Sequence, residues 1–580
     1  MKSYIKTLML GAALVGMTGC TDLNIDLDTR YETLPDNPIA VEGEFNSCYR
    51  YLYGWFGRDF NEGVVNQGDE IMGVCYTLGN YYDDGRAING SIHSLTMANW
   101  NTRMISGCME GNTQCNSKIL AYGGPEHNDP IVAPVRAMRA YYHFWMMELW
   151  GDVPIMDHVV QEGERIDRQP RADVARWIEK ELLEILGQED GLSKKNDAST
   201  YGKPNYWMAA SLLVKLYLNW GVYTHPITTV TNDTPNEKLD DCVKWCDEII
   251  KSGIFEVGVG YRKKFFPDNG VHIKDFIYAH DVDPATKGDG TITWHRWFAF
   301  KREGQLTPPP YGWENPKSTA GNTVMTKEAV ARFCLPGDER NKIVLQGPQY
   351  KMNSNYEFTD EPIMLYKDVT KPNTLVGQLN YRVDFDFDDG RIYSLGDESL
   401  PAVNKTNVAN GTALLNVQKG ARLCKYPPRE EDYTLWDRQQ ANDYPIFRFA
   451  DILLTKAECI MRGATATNGD TPASLMNQVR DCSSAPHVTG TPTFQELLDE
   501  RSREFILEPW RRNDLIRFGQ FEADWGEKNR YKVWDNDEHT QFHWVEREGA
   551  KDPNRRLMPI HQDILNANTN WSQNPGYAGI

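Results

Sequence analysis

The chain has 580 residues and a formal net charge of −19, from 81 acidic against 62 basic side chains. That balance repels nucleic acid, no basic stripe relieves it, and a strongly anionic polymer is disfavoured as a ligand. The length would allow two or three domains, but no Pro/Gly/Ser linker or low-complexity run divides the chain, so one compact body with large insertions is expected.

Residues 1–19 open with Lys2 and Lys6, continue through an apolar run from Leu8 to Val15, and end in Thr18 and Gly19 before Cys20. That run is about eight residues long, and a span of the ~30 Å bilayer core needs about 20, so it fits a cleaved export signal. Met17-Thr18-Gly19-Cys20 resembles the lipobox of bacterial lipoproteins, with Met where Leu is commoner. The resemblance implies that Cys20 takes a diacylglycerol and becomes the first mature residue. The alternative is an ordinary secretory signal whose cleavage site contains a Cys. Loss of Lys2 and Lys6 with the signal takes two positive charges and leaves −21. The remaining cysteines form no CxxC pair and no Cys/His cluster at zinc spacing.

Helices are expected near 36–56 and 93–120. In PVRAMRAYYHFWMMELWGDVP, Val135, Met138, Tyr142, Trp145 and Leu149 fall on one apolar stripe. Pro134 suits the first turn, Gly151 the C-terminal cap, and Pro154 prevents resumption. A further helix is expected near 173–187. KPNYWMAASLLVKLYLNWG opens at Pro204 and closes at Gly221, with Ala210, Val214 and Tyr217 on a face. The small pair Ala209-Ala210 would let a neighbouring helix come close. Near 239–251, Cys242 and Cys246 stand i,i+4 on a predicted helix, which suits packing better than a disulfide.

From about 255 to 435 the helical stripes vanish, Gly, Pro, Asn and Asp become frequent, and short alternating pieces remain, such as DFIYAH (275–280) and YRVDFDF (381–387). DFDFDDGRIYS (384–394) puts Asp384, Asp386 and Asp388 at the 1, 3, 5 spacing of a calcium loop. Gly390, however, falls at position 7 rather than 6, and Leu395 stands at position 12. The reading preferred is an amphipathic strand, with no bound metal. In YPIFRFADILLTKAECIMRG, Ile446, Phe449, Leu453, Ala457 and Ile460 form another stripe, ended by Gly463. A helix near 493–507 leads into Glu500, Glu504, Glu508 and Asp514 interleaved with Arg501, Arg503, Arg511, Arg512 and Arg517. That set joins a helix, a break at Pro509 and the next helix through a structural ion-pair network to which Arg448 and Asp451 also belong. Arg forks pair carboxylates bidentately, and lone buried charges are costly.

Four stretches carry a family resemblance: RAMRAYYHFWMMELWGDVPIM (136–156), YPIFRFADILLTKAECI (444–460), DERSREFILEPWRRNDLIRFGQF (499–521) and LMPIHQDILNANTNWSQNPGY (557–577). In content, order and separation they resemble the SusD/RagB family of outer-membrane nutrient-binding lipoproteins. Pro509 stands where a Gly is common, and Asn513 where an aromatic is common. The resemblance implies a mainly α fold, with four tetratricopeptide-like helix pairs and a loop-rich half with short β-hairpins. It divides residues 20–580 into a helical scaffold (20–255), a loop-rich ligand side (256–435) and a C-terminal helical part (436–580). It further implies a cell-surface lipoprotein, lipid-anchored to the outer membrane, that binds oligosaccharides and delivers them to a SusC-like TonB-dependent transporter. No catalysis and no cofactor are implied. The alternative within the family is a peptide-binding, RagB-like protein.

Ligand residues do not transfer position by position in this family, so they are sought from chemistry. Sugars offer apolar C–H faces edged by hydroxyls, which flat aromatics and rim amides, carboxylates or Arg recognise. Aromatics in polar, turn-rich stretches are the informative ones, since no core is there to bury them. Tyr81, Tyr82 and Asp83 lie in GNYYDDGR, Trp294, Arg296 and Trp297 in TITWHRWFAF, and Tyr311 and Trp313 in PPPYGWENP. Asn66 and Asp69 lie in NQGDE, read as a polar loop preceding the first cluster. Packing against the scaffold or the transporter is the competing role for these rings. Two other functions remain open. A glycoside hydrolase would need a carboxylate pair that no motif marks, and a purely structural helical-repeat adaptor would bind no small ligand.

Overall fold

The strongest apolar segments become helices that stack in chain order. The computed structural model describes residues 45–49, 51–52, 59–73, 75–77, 80–81, 86–124, 130–281, 323–366, 375–383, 420–427, 429, 442–537 and 540–578. The principal helices are α1 (Met104–Ala121), α2 (Val132–Trp150), α3 (Arg171–Leu186), α4 (Tyr206–Leu218), α5 (Leu239–Lys251), α6 (Phe449–Met461), α7 (Pro472–Ser483), α8 (Phe494–Phe505) and α9 (Arg511–Arg517). Each of α1 to α6 packs on the next, and α6 packs on both α7 and α8. The stack therefore passes directly from α5 to α6, and the whole stretch 252–448 is inserted at that joint. Sheets among the described residues are all two-stranded.

Helix α2 departs from the expected single stripe. All its residues except Pro134 are buried, because α1 and α3 flank it and the C-terminal tail covers its end. It also starts earlier than expected, at Val132, which leaves Pro134 still within the first turn. Its charges are neutralised by neighbours: Arg136 and Arg139 both fork onto Glu181 of α3, and Arg139 also donates to Asn116 of α1 at 2.8 Å. Gly151 caps the helix at φ 76°, and a Cβ there would lie 2.7 Å from Leu557. The tail is pinned there: Asn574 Nδ2 donates to the carbonyls of Trp150 and Met558 at 2.9 and 2.8 Å.

The start of α6 also departs from the sequence pattern. Tyr444–Arg448, counted partly in the helical stripe through Ile446, is a strand that pairs antiparallel with Phe276–His280. Both strands are buried along their whole length, so DFIYAH is not half-exposed as alternation implied. Asp275 explains the switch from strand to helix. Its backbone carbonyl accepts from Phe449 N–H, and its carboxylate accepts from Ala450 N–H, which caps α6 from another part of the chain. Helix α7 lies outside the expected set, although Thr471 and Ser474 form a capping box and Pro472 stands in the first turn. The predicted helix at 36–56 lies largely outside the described residues. Cys242 and Cys246 are buried free thiols, and Cys242 Sγ donates to Val214 O.

The interleaved charges of α8 and α9 form the expected network, in an interior far drier than a surface cluster. Arg501 bridges Asp514 (2.8 Å) and Asp451 (2.9 Å), and Lys215 of α4 holds the other oxygen of Asp451 at 2.6 Å. Arg517 joins Asp514 to Glu458 of α6, both at 2.7 Å. Arg448 ties Glu504 to Asp275, and Arg340 ties Glu500 to Glu504. Between the helices Leu507 turns at φ 63°, just before Pro509. Burial works against the charge on Glu458 and Glu500, yet Arg517 and Arg462 on the one, and Arg340, Arg503 and Arg480 on the other, hold each carboxyl down near about 2.

Two outcomes are expected. Arg501→Met leaves Asp451 and Asp514 each short of a buried partner and should destabilise the protein by about 3–5 kcal/mol, read by urea denaturation. Because Glu458 and Glu500 titrate far below their usual 4.5, the stability they confer is present above that value and is lost as pH falls through about 2. Melting temperature measured from pH 7 downward should hold to about pH 4.5 and then drop steeply; a steady decline from neutrality would contradict this assignment.

Candidate binding face

Segment 66–73 is the point where the early chain meets the C-terminal helices. Val65–Gln67 forms a single 3-10 turn, and Ile71–Gly73 (β1) pairs antiparallel with Thr323–Met325, with Gly73 opposite Thr323. Cys75–Thr77 (β2) and Asn80–Tyr81 (β3) follow as a small hairpin, with Tyr81 opposite Cys75. A third segment closes on the same place: Met325 N–H donates to Ala421 O at 3.0 Å, and Arg422 donates to Thr323 O. Gly420 sits at φ 67°, where a Cβ would come 2.8 Å from Val324. The side chains of Met72 and Val324 fill the space between.

Three stretches of chain thus begin or end at one root. Residues 74–85 leave from Gly73, 282–322 return at Thr323, and 384–419 return at Gly420. Tyr82 and Asp83 belong to the first stretch, and Trp294, Arg296, Trp297, Tyr311 and Trp313 to the second; all lie outside the described residues. Tyr81 is placed by its backbone, in β3. The calcium-like spacing at 384–394 also lies outside the described residues.

Asn66 and Asp69 are described, and their environment corrects the idea of a polar surface loop. Both are buried, at 1% and 3% exposure, which removes them from any rim. The Asp69 carboxylate is gripped by Arg511 at 2.6 Å and by Arg332, and Arg332 also reaches Ser502. Burial opposes its charge, but Arg511 and Arg332 outweigh that and hold it well below the usual carboxylate range. Glu70 has weaker support. It accepts from Ser502 at 2.8 Å, and burial, with Asp69 beside it, pushes its carboxyl up to about 7. Gln67 accepts from Arg512 at 3.0 Å, and the Gln67 carbonyl meets His93 Nε2 at 3.0 Å. Burial brings His93 down to about 3, so its ring is neutral, stacked on Phe521 at 4.1 Å.

Sequence reasoning missed this bed because its parts are far apart in the chain. Thr326 donates its hydroxyl to Asp69 O and caps the short helix Lys327–Arg332 by accepting from Ala329 N–H. Lys528, in a stretch that carries no motif, directs its ammonium at the carbonyls of Asn66, Gly68 and Ile71. Burial lowers its pKa to about 7. Arranged in this way, the charges fix backbone; no nucleophile is presented to solvent by them. A surface hollow of about 370 Å³ lies elsewhere, between α5 and residues 465–467. Asp240, Lys244, Asp247 and Glu248 line it without an aromatic ring, so it offers charge but no platform for an apolar ring face.

Gly420→Ala should force the root apart, because the new Cβ meets Val324 in a backbone conformation that favours glycine. A loss of about 1–3 kcal/mol is expected. The Met325 amide should exchange with deuterium faster while the α2 amides keep their protection. Equal exchange of both would show that the root is not a local unit.

The chain is similar to known proteins in sequence and in fold. The SusD family pattern matches residues 274–577. The starch-binding protein SusD of Bacteroides thetaiotaomicron is 26% identical over 471 residues, which is 77% of this chain and 72% of that protein. Among solved structures, a SusD homolog from Bacteroides thetaiotaomicron superposes with a TM-score of 0.65 at 15% identity, over 95% of this chain and 99% of the other. The surface glycan-binding protein A of the same organism, in complex with laminarihexaose, gives 0.61 at 17% identity over 93% and 99%.

Proposed function

Because the chain belongs to the SusD family, we propose that it is a non-catalytic binding protein of the cell surface that captures oligosaccharides and passes them to a SusC-like TonB-dependent transporter in the outer membrane. Residues 1–19 direct export and are removed, and Cys20 carries the lipid. Several acyl chains, at ~0.8 kcal/mol per buried CH₂, hold the body to the membrane without a spanning segment. No helix among the described residues is long and apolar enough to cross a bilayer.

The observation that carries the ligand reading is the shared root at Gly73, Thr323 and Gly420. Two aromatic-rich stretches, one with Tyr81, Tyr82 and Asp83 and one with Trp294, Arg296, Trp297, Tyr311 and Trp313, spring from one small sheet. Loops on a rigid scaffold are where recognition is built. In this reading the rings lie under sugar C–H faces, and Asp83 and Arg296 meet hydroxyls at the edge. Closure of the body over the transporter then encloses the ligand, and the energy for uptake comes from the transporter. The laminarihexaose complex of the related surface glycan-binding protein supports the substrate class, whereas the linkage bound by this chain is for titration to find.

Isothermal titration against a broad glycan panel should find one or more ligands at micromolar to millimolar affinity, about −8 to −4 kcal/mol. Trp313→Ala or Trp294→Ala should weaken that binding by roughly tenfold, or 1.4 kcal/mol, with the melting temperature unchanged. Binding to peptides but to no glycan would replace this reading with a peptide-binding one.

A further inference from the structure

The ammonium of Lys528 has an unusual set of partners. Its Nζ donates to the carbonyl of Asn66 at 2.6 Å, to that of Ile71 at 2.9 Å and to that of Gly68. An ammonium has three N–H bonds, and three main-chain oxygens use all of them. Lys528 is 1% exposed. Among the described residues no carboxylate stands within ion-pair distance of Nζ; Asp69 and Glu70 favour its charge only from further off. The Trp525 ring, 5.2 Å away, closes one side. Three converging carbonyls around a dry positive centre are the ligand set of a monovalent cation site, with the cation here supplied by a side chain from the far end of the sequence.

The place of this cage gives it a purpose. Its oxygens belong to the segment that runs straight into β1 and the β2–β3 hairpin. Lys528 itself lies in the turn Gly526–Asn529, just before the hairpin formed by Arg530–Trp534 and Phe542–Glu546. That turn is held by Trp525 N–H donating to Asn529 Oδ1 at 2.6 Å and by Arg547 N–H donating to Asn529 O at 2.8 Å. The neighbours of the 66–71 segment, Arg511 on Asp69 and Arg512 on Gln67, grip side chains. Lys528 grips three of its main-chain oxygens, which fixes the direction in which the backbone leaves.

We propose that Lys528 is a positioning residue of the binding face, a built-in cation whose three-carbonyl cage sets the stem of the Tyr81 hairpin and thereby the geometry presented to ligand. This deepens the oligosaccharide reading and rests on it for the binding consequence. The positional consequence can be read without ligand.

The test uses the full-length protein with Lys528→Ala, which empties the cage, and Lys528→Met, which fills it with an apolar chain. Deuterium exchange across 66–77 is followed with methylammonium chloride or tetramethylammonium chloride at equal ionic strength, and oligosaccharide titration is run in parallel. Lys528→Ala should exchange roughly tenfold faster across 66–77, with α2 and α4 unchanged, and should lose roughly tenfold in oligosaccharide affinity. Methylammonium, small enough to enter the cage, should restore both; tetramethylammonium should restore neither, and Lys528→Met should respond to neither salt. Unchanged exchange in Lys528→Ala overturns the proposal. So does a defect that both salts treat alike, which would make the lysine a packing element only. Loss of the thermal transition in both variants also overturns it, because the effect is assigned to the stem alone. If the wild-type protein binds no oligosaccharide, the functional reading fails while the exchange arm still decides the role of Lys528.

Discussion

Buried charge, paired across helices, is the constraint on which the rest of this fold depends. Arg501, Asp514, Arg517, Asp451, Lys215 and Glu458 connect α4, α6, α8 and α9 in one unbroken chain of contacts. An apolar interface between helices tolerates sliding and rotation; an interface of interlocked guanidinium forks does not, since any slip strands a charge in a dry interior. The network therefore acts as a register device for the stack as well as a contribution to its stability.

The same logic extends outward to the proposed binding face. Arg448 and Asp275 lie where the buried strand pair meets α6, so the insertion 252–448 re-enters the scaffold at a fixed point. Arg511, next to Asp514 on α9, reaches Asp69 and so transfers the rigidity of the ionic core to the segment that becomes β1. From there a short sheet leads in sequence to the stretches that carry the aromatics singled out above. The face stands on charge, although the ligand proposed for it is neutral.

Much of the scaffold was legible in the sequence. Helices α2 and α4 announced themselves by apolar spacing and by Gly or Pro at their ends, α3 and α5 fall where helices were expected, and the Arg/carboxylate interleaving around Pro509 was readable as structure because no isolated charge would survive there. The errors have physical causes. Ile446 kept helical spacing with Phe449 but sits in a strand, because Asp275, distant in sequence, supplies the helix cap. Asp69 looked like a surface acid because its two Arg partners come from elsewhere in the chain. Asn513, where the family favours an aromatic, donates to Glu148 and accepts from Arg517, so a polar residue does there by hydrogen bonding what a ring would do by packing. Gly420 and Lys528 carried no local signal at all, since what each does is defined by residues distant in sequence, Val324 for the one and the 66–71 carbonyls for the other.

The direct passage of the helix stack from α5 to α6 has a consequence for how such a chain matures. Helix α2, buried almost all round, takes part of its cover from Trp510, whose ring stacks on Trp145 at 5.2 Å, and from the final residues around Asn574. Residues up to 251 supply α1 and α3 to flank α2, but Trp510 and Asn574, which complete its cover, come far later in the chain. Packing around α2 is therefore finished by segments made long after it, so this core closes as one unit and not helix by helix.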